Sequence, residues 1–368
     1  MSGFLEQFNK QLVSGWIKGT AGNNMVRLLF NGQDEYLVEA TWKRPDLPDD
    51  AIGFIFPLPS KLASVYPLQL ECHGSDGEAL QNSPRIIETR ESEINKVLTG
   101  QDGWLFLAND SNDSLAYLTE QKEVSPRLLT QWIELIRSRQ DYMSERKTPF
   151  IQVVVAEKEV VYQDQLPEGY KISENRPICR ITQALEKDSR KQRFLYGPDP
   201  NMARDSKTLL YFKGDTHFSF QGAESLTRQL LTQLCQQGDE VGKPRPNPLG
   251  DYRYRKAFQV GDLISKRVGT NVELIDYPQS KCKHTWICST PEPKAGRVRG
   301  FHNSQGTGRL LMFHTSSADW MAPFLNDAFR DVLYIWGGEL DTDVIDWFQP
   351  DYVVAQTNER FLTHCPKR

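Results

Sequence analysis

The sequence predicts an α/β protein, a parallel sheet with helices on both faces, preceded by a small all-β, sandwich-like domain. Three observations carry this. From residue 125 onward, short apolar runs of strand length alternate with stretches whose apolar residues recur at helical spacing, which is the pattern of a parallel sheet with crossover helices. Before residue 86 the runs are short, alternate in polarity and are broken by turn signals at close spacing. Residues 86–99 between them are charged and read as a connector. The predicted domains are 1–85 and 86–368.

In the first domain, residues 25–30 and 35–40 flank Asn31-Gly32, a strong hairpin signal, and Pro45, Pro48, Pro57, Pro59 and Pro67 punctuate the rest. Trp16 and Trp42 are expected in its core, with a sugar-stacking surface as the alternative. In the second, a glycine-flanked turn at 100–103 leads into the aromatic run from Trp104. Ser125-Pro126 reads as an N-cap with proline at the first helical position, and Leu129, Trp132, Ile133 and Ile136 give the following helix one apolar face. Residues 150–155 are a buried strand. The alternation then runs through 181–185, 209–212, 223–234, 310–313, 318–329, 332–336, 344–348 and 352–356. Residues 238–308 lack periodicity and read as a lid or insertion.

Composition narrows the function class. The chain of 368 residues is 39% hydrophobic and 25% charged with a net charge of −4, which suits a soluble globular protein and offers no basic footprint for nucleic acid. The N-terminus shows no apolar leader and no run reaches the length of a membrane span, so the expected location is cytoplasmic. Cys72, Cys179, Cys235, Cys282, Cys288 and Cys365 are scattered, as in a reducing compartment. Cys282, His284 and Cys288 lack the spacing of a zinc site, and neither phosphate-binding glycine motif follows any strand. No cofactor and no metal are expected.

The chemistry centres on His314-Thr315-Ser316-Ser317, which lies between the 310–313 strand and the 318–329 helix. A strand-to-helix turn at the carboxyl edge of a parallel sheet is where ligands bind, so Ser316 is placed like a nucleophile. The plain alternative is that Thr315, Ser316 or Ser317 caps the helix. A serine needs a base, and the base needs a group that fixes its tautomer. Asp215-Thr216-His217 supplies both, because in an extended segment side chains two apart leave the same face. A metal site formed by Asp215, His217, His302 and His314 is a further reading, although none of these spacings is a recognised ligand pattern.

Together with Gly100-x-Asp102-Gly103-Trp104-Leu105-Phe106-Leu107, the run 153–158 with Val161-Tyr162, and Asn358-Glu359-Arg360-Phe361, these motifs resemble the SGNH-hydrolase superfamily from about residue 100 to about residue 361. The similarity is to the branch typified by the alginate O-acetyltransferases. It implies an SGNH-like fold with Ser316 as nucleophile, His217 as base and Asp215 as orienting acid. The superfamily's Gly-Asp-Ser-Phe block reads His314-Thr315-Ser316-Ser317 here, without the glycine. Backbone N–H groups near Ala318 are the expected oxyanion donors. Ser14-Gly15-Trp16, Arg44-Pro45-Asp46-Leu47 and Gly53-Phe54 are similar to an accessory β-module found beside bacterial glycan-processing domains.

The expected function is a serine-dependent O-acyltransferase, in the first place O-acetyl, acting on a bacterial polysaccharide such as a capsule or on its sugar precursor. The alternatives are a carbohydrate O-acetyl esterase and a non-catalytic glycan-binding or assembly protein. The expected partners are a carbohydrate acceptor, an acyl donor and glycan-assembly proteins, with no nucleic acid and no integral membrane segment.

Overall fold

The computed structural model describes residues 3–8, 12–18, 24–41, 50–63, 65–87, 96–186, 188, 192–199, 201–202, 208–259, 261–264, 273–279, 285–286 and 298–366. Two compact units emerge, one of Met1–Val97 with Ile264–Thr270 and one of Leu98–Leu263 with Asn271–Arg368. The expected break at 85/86 falls inside the strand Arg85–Ile87, and most of the expected connector lies outside the described residues.

The first unit holds two antiparallel sheets. One contains β1 (Gly3–Phe8), β2 (Leu12–Lys18) and β5 (Ala51–Pro57). The other has the order β4-β3-β6-β7, formed by β3 (Met25–Phe30), β4 (Asp34–Glu39), β6 (Leu68–His73) and β7 (Arg85–Ile87). The hairpin closes over a left-handed Asn31 and Gly32, with φ of 49° and 68°, and the Asn31 side chain ties the turn to the backbone of Gln69 at 2.6 Å. Leu5, Val13, Ile17, Leu28, Phe30, Phe54 and Leu70 meet in one core. Trp16 departs from expectation. Strand alternation turns Val13 and Ile17 inward and leaves Trp16 half-buried and off that core. Trp42 and residues 44–48 lie outside the described residues.

The second unit is built on a seven-stranded sheet. Its strands are β8 (Phe150–Val155), β9 (Phe194–Gly197), β12 (Thr285–Trp286), β13 (Val298–His302), β14 (Arg309–His314), β15 (Asp331–Trp336) and β16 (Tyr352–Asn358). In the order β9-β8-β16-β14-β15 all neighbours run parallel, and β13 and β12 extend the sheet antiparallel beyond β15. Residues 238–308, which show little periodicity and read as a lid or insertion, contribute these two edge strands and a hairpin of β10 (Tyr254–Gln259) with β11 (Glu273–Pro278).

Helices cover both faces. On one, α3 (Phe220–Val241) and α4 (Ala318–Ala328) bury Leu226, Leu230, Leu234, Met321 and Phe324 against Ile151, Leu310, Met312 and Val354. On the other, α1 (Pro126–Glu145) and α2 (Pro177–Leu185) bury Trp132, Ile136 and Ile181 with Val154 and Phe194, and α5 (Thr342–Phe348) buries Val344 and Phe348 with Phe150, Leu311, Phe313 and Val353. Each such side chain taken from water contributes about 1.5–3 kcal/mol. Ser125 caps α1 as its sequence predicts, accepting from the Leu128 N–H at 3.2 Å ahead of Pro126.

Candidate active site

Central β14 and β16 lie side by side, so the ends of both strands reach the carboxyl edge of the sheet together. The chain leaves β14 at His314 and enters α4 at Ala318, and side chains from the end of β16 hold the turn between them. Gln356 Oε1 accepts from the Thr315 N–H at 2.9 Å, while Asn358 Oδ1 accepts from Thr315 Oγ1 at 2.8 Å. Ser317 Oγ exchanges hydrogen bonds with the Asn358 amide at 2.8 and 3.0 Å. With its two neighbours fastened, the half-buried Ser316 between them projects its hydroxyl to His217 Nε2, at 2.8 Å.

Helix capping is therefore not what these hydroxyls do. Ser317 occupies the N-cap position without a side-chain cap bond, and the first helical N–H groups are satisfied by backbone: Ala318 N–H bonds Thr315 O at 3.1 Å and Asp319 N–H bonds Ser316 O at 3.1 Å. That tight first turn also corrects the expected oxyanion donor, since the Ala318 N–H is already engaged. The Ser316 N–H has no hydrogen-bond partner among the described residues and is left open to donate.

Asp215 and His217 meet, though not in an extended strand. Residues 213–217 form turns, closed by an antiparallel bridge between Tyr211 and Phe218. Asp215 Oδ1 accepts from the His217 backbone N–H at 2.9 Å and lies 2.6 Å from His217 Nδ1, so one carboxylate oxygen holds both the loop and the ring. The other oxygen accepts from the Asp262 N–H at 3.1 Å. Residues 209–212, expected as a strand, make no ladder because side chains take its backbone groups: Tyr162 accepts from the Leu210 N–H at 2.8 Å, and Ser219 donates to Leu209 O at 2.5 Å.

Of the two residues that hold this turn, Lys158 entered the sequence reading only as the end of the motif 153–158, without a role, and Asp262 did not enter it. Lys158 is 1% exposed, and its ammonium donates to the carbonyls of Phe212, Lys213 and Asp215 at 3.2, 3.1 and 2.6 Å. Its signal is a Glu-Lys-Glu triplet, 157–159, set between the apolar runs 153–156 and 160–162. Asp262 accepts from the Thr216 N–H at 2.7 Å and from Thr216 Oγ1 at 2.6 Å, while Leu263 N–H bonds Gly214 O at 3.1 Å. Nothing in the sequence marks Asp262, because its partners lie about fifty residues away.

The electrostatics suit a base and its orienting acid. Burial opposes a charge on either group, but each stabilises the other. The charge and hydrogen bonds of His217 leave the Asp215 carboxyl well below the usual carboxylate range. The Asp215 charge in turn outweighs the burial of His217 and holds its imidazole above the ordinary value of 6.5. Trp320 lies 5.7 Å from the His217 ring and packs on Phe212 and Phe220, which gives the base an aromatic wall.

The four residues of the metal reading do not converge. His302 pairs with Asp331 at 2.7 Å, at the opposite end of β14 and β15 from Ser316, and His314 Nδ1 bonds Thr315 O at 2.8 Å. Asp262 joins Asp215 and His217 instead, with ligand-type atoms within 4.8 Å of one another. Hydrogen bonds to Thr216, Ser316 and the backbone engage those atoms. Cys282, His284 and Cys288 lie outside the described residues. No helix among the described residues is long and apolar enough to cross a membrane.

Residues 97–266 match the family model described as SGNH hydrolase-like domain, acetyltransferase AlgX. No curated protein sequence matches the chain. Among solved structures, Bacillus cereus PatB1 with a sulfonyl adduct is similar with a TM-score of 0.53 and 14% identity, over 73% of this chain and 97% of that one. The O-acetyltransferase domain of Pseudomonas putida AlgJ gives 0.45 and 16%, over 73% and 92% of the two chains. Pseudomonas aeruginosa AlgX gives 0.42 and 14%, over 75% and 67%. At such identities the PatB1 likeness speaks to the fold alone. Residues 97–266 are thus similar to an SGNH hydrolase-like domain of the AlgX acetyltransferase type, and they contribute strands and helices to the α/β sheet unit.

Proposed function

We propose that the protein is a serine-dependent O-acetyltransferase that modifies a carbohydrate hydroxyl through an acyl-enzyme. The observation that carries this reading is the chain of contacts from Ser316 Oγ to His217 Nε2 at 2.8 Å and from His217 Nδ1 to Asp215 Oδ1 at 2.6 Å. A serine hydroxyl is a weak nucleophile until a neighbouring base takes its proton in the transition state. In this mechanism His217 accepts the Ser316 proton as Oγ attacks the acyl carbonyl, Asp215 steadies the imidazolium, and the Ser316 N–H stabilises the developing oxyanion. The protonated His217 then returns its proton to the leaving group of the donor. A sugar hydroxyl, deprotonated in turn by His217, attacks the acetyl carbonyl and takes the acetyl group as its bond to Ser316 Oγ breaks, and His217 returns the proton to Oγ.

A carbohydrate esterase would use the same residues with water as acceptor. The AlgX-type family model favours transfer. Intact-protein mass spectrometry after incubation with an activated acetyl ester tests the reading. An acetyl adduct on the wild-type chain that is absent from Ser316→Ala is expected. An unmodified wild-type chain that also fails to hydrolyse the ester would refute it.

A further inference from the structure

The turn that carries Ser316 begins with a buried ring that takes no part in the proton transfers. His314 ends β14, is 1% exposed, and lies against Tyr334 and Trp336 of β15, whose rings meet it edge-on at 5.7 and 5.5 Å. Its backbone is fixed as well, since the Gly337 N–H donates to His314 O at 2.9 Å. So placed, its Nδ1 lies 2.8 Å from the carbonyl oxygen of Thr315. A carbonyl only accepts, so the contact requires Nδ1 to carry a proton.

The same oxygen accepts from the Ala318 N–H at 3.1 Å. One donor from before the turn and one from after it thus hold a single carbonyl. The Thr315–Ser316 peptide group is planar and trans, so fixing its C=O also fixes the N–H at its other end, which points the opposite way. That N–H belongs to Ser316 and is the donor left open beside the nucleophile. Thr315 and Ser316 both border a cavity of about 430 Å³, a volume within the range of small-ligand sites, so a substrate seated there meets this peptide group.

We propose that His314 is a positioning residue, which through Thr315 O holds the Thr315–Ser316 peptide group in the orientation that aims the Ser316 N–H at the developing oxyanion. The inference rests on the acyl-enzyme reading and names what preorganises its oxyanion donor. Preorganisation decides the strength of such a donor, because one that must first turn toward the charge loses much of its effect. A glycine, which the superfamily's block carries at this position, has no side chain to make the contact. The device therefore belongs to the His314-Thr315-Ser316-Ser317 form of the turn.

The plainer role for His314 is to fill space against Tyr334 and Trp336. The two roles rank substitutions in opposite order. Asparagine puts an amide N–H near the place of Nδ1–H but leaves a cavity, whereas phenylalanine fills the space and has no donor. The test is acylation of the full-length chain by p-nitrophenyl acetate and by its thionoester analogue, read from the first release of nitrophenol. Sulfur accepts hydrogen bonds poorly, so the ratio of the two rates, taken relative to their ratio in alkaline buffer, reports on the oxyanion donor and not on the base.

His314→Phe should slow acylation by the oxygen ester about 10- to 100-fold with KM little changed, and should lower the ratio about tenfold. His314→Asn should recover most of the rate and the ratio, although its Tm falls. The reverse order, with the phenylalanine variant near wild type and the asparagine variant slow, overturns the proposal, as does a loss of rate that leaves the ratio unchanged. If His314→Phe does not fold, His314→Leu takes its place. Nitrogen NMR of the wild-type imidazole adds a measurement that needs no turnover: His314 should be protonated on Nδ1, and a ring protonated on Nε2 alone overturns the proposal. A wild-type chain that is never acetylated removes the acyl-enzyme reading and this inference with it. An acetylated wild type whose His314 variants keep both rate and ratio removes this inference alone.

Discussion

The two turns that meet at the site are held in different ways. Ser316 sits where a regular strand becomes a regular helix, and the turn is fastened by Gln356 and Asn358 from the adjacent strand. Asp215 and His217 sit on an irregular loop whose backbone is fixed by Lys158 and Tyr162 from one segment and by Asp262 from another. The first turn takes its shape from the fold that every α/β sheet of this kind provides. The second depends on buried polar contacts, and those are lost singly and at higher cost.

The largest expected effect tests whether the turns act as one unit. Ser316→Ala and His217→Ala should each lower kcat by roughly 10⁴-fold or more, and the double variant should be hardly slower than either, because members of a triad are not additive. Multiplying losses in the double variant would assign the two turns to separate steps. Asp215→Asn should cost roughly 10³- to 10⁴-fold and also move the pH profile. The base works only when neutral, and Asp215 holds His217 above 6.5, so the acid limb of kcat/KM should lie above 6.5 in the wild type. Removing the Asp215 charge favours the neutral ring, and the limb should shift to lower pH. A limb that does not move would disconnect Asp215 from the base.

Next in size is the irregular turn's own support. Lys158→Met should lower kcat about 10- to 100-fold with KM little changed, since a small displacement of His217 is costly while the cavity beside Ser316 is not lined by Lys158. The smallest effect is expected on the regular turn. Thr315→Val removes one hydroxyl bonded to Gln356 and Asn358 and should cost about 1–2 kcal/mol in thermal stability with a few-fold loss of activity.

The same contrast explains what the sequence made legible. The 309–336 segment announces itself through an apolar run, a four-residue turn and helical spacing, and the structure places strand, turn and helix there. Asn31-Gly32 and Ser125-Pro126 likewise carry their geometry in their own residues. Residues 209–212 share the apolar character of a strand, but side chains from Tyr162 and Ser219 satisfy the backbone that a ladder would have used. Phe194–Gly197, four residues long, is too short for its period to be read. β12 and β13 are strands by pairing at the sheet edge rather than by pattern. Trp16 is large and aromatic, yet strand phase, which depends on register, keeps it from the core.

The Ser316–His217 contact joins residues 99 apart in sequence. Each of the two turns has short-range shape, but their union closes a long loop, and a third segment at Lys158 must be in place before the base is held. The protein can therefore possess its sheet and most of its core while still lacking a working site. Activity is then a property of the last contacts to form and the first to open, so the fraction of active molecules in a population can fall while the fraction folded hardly changes.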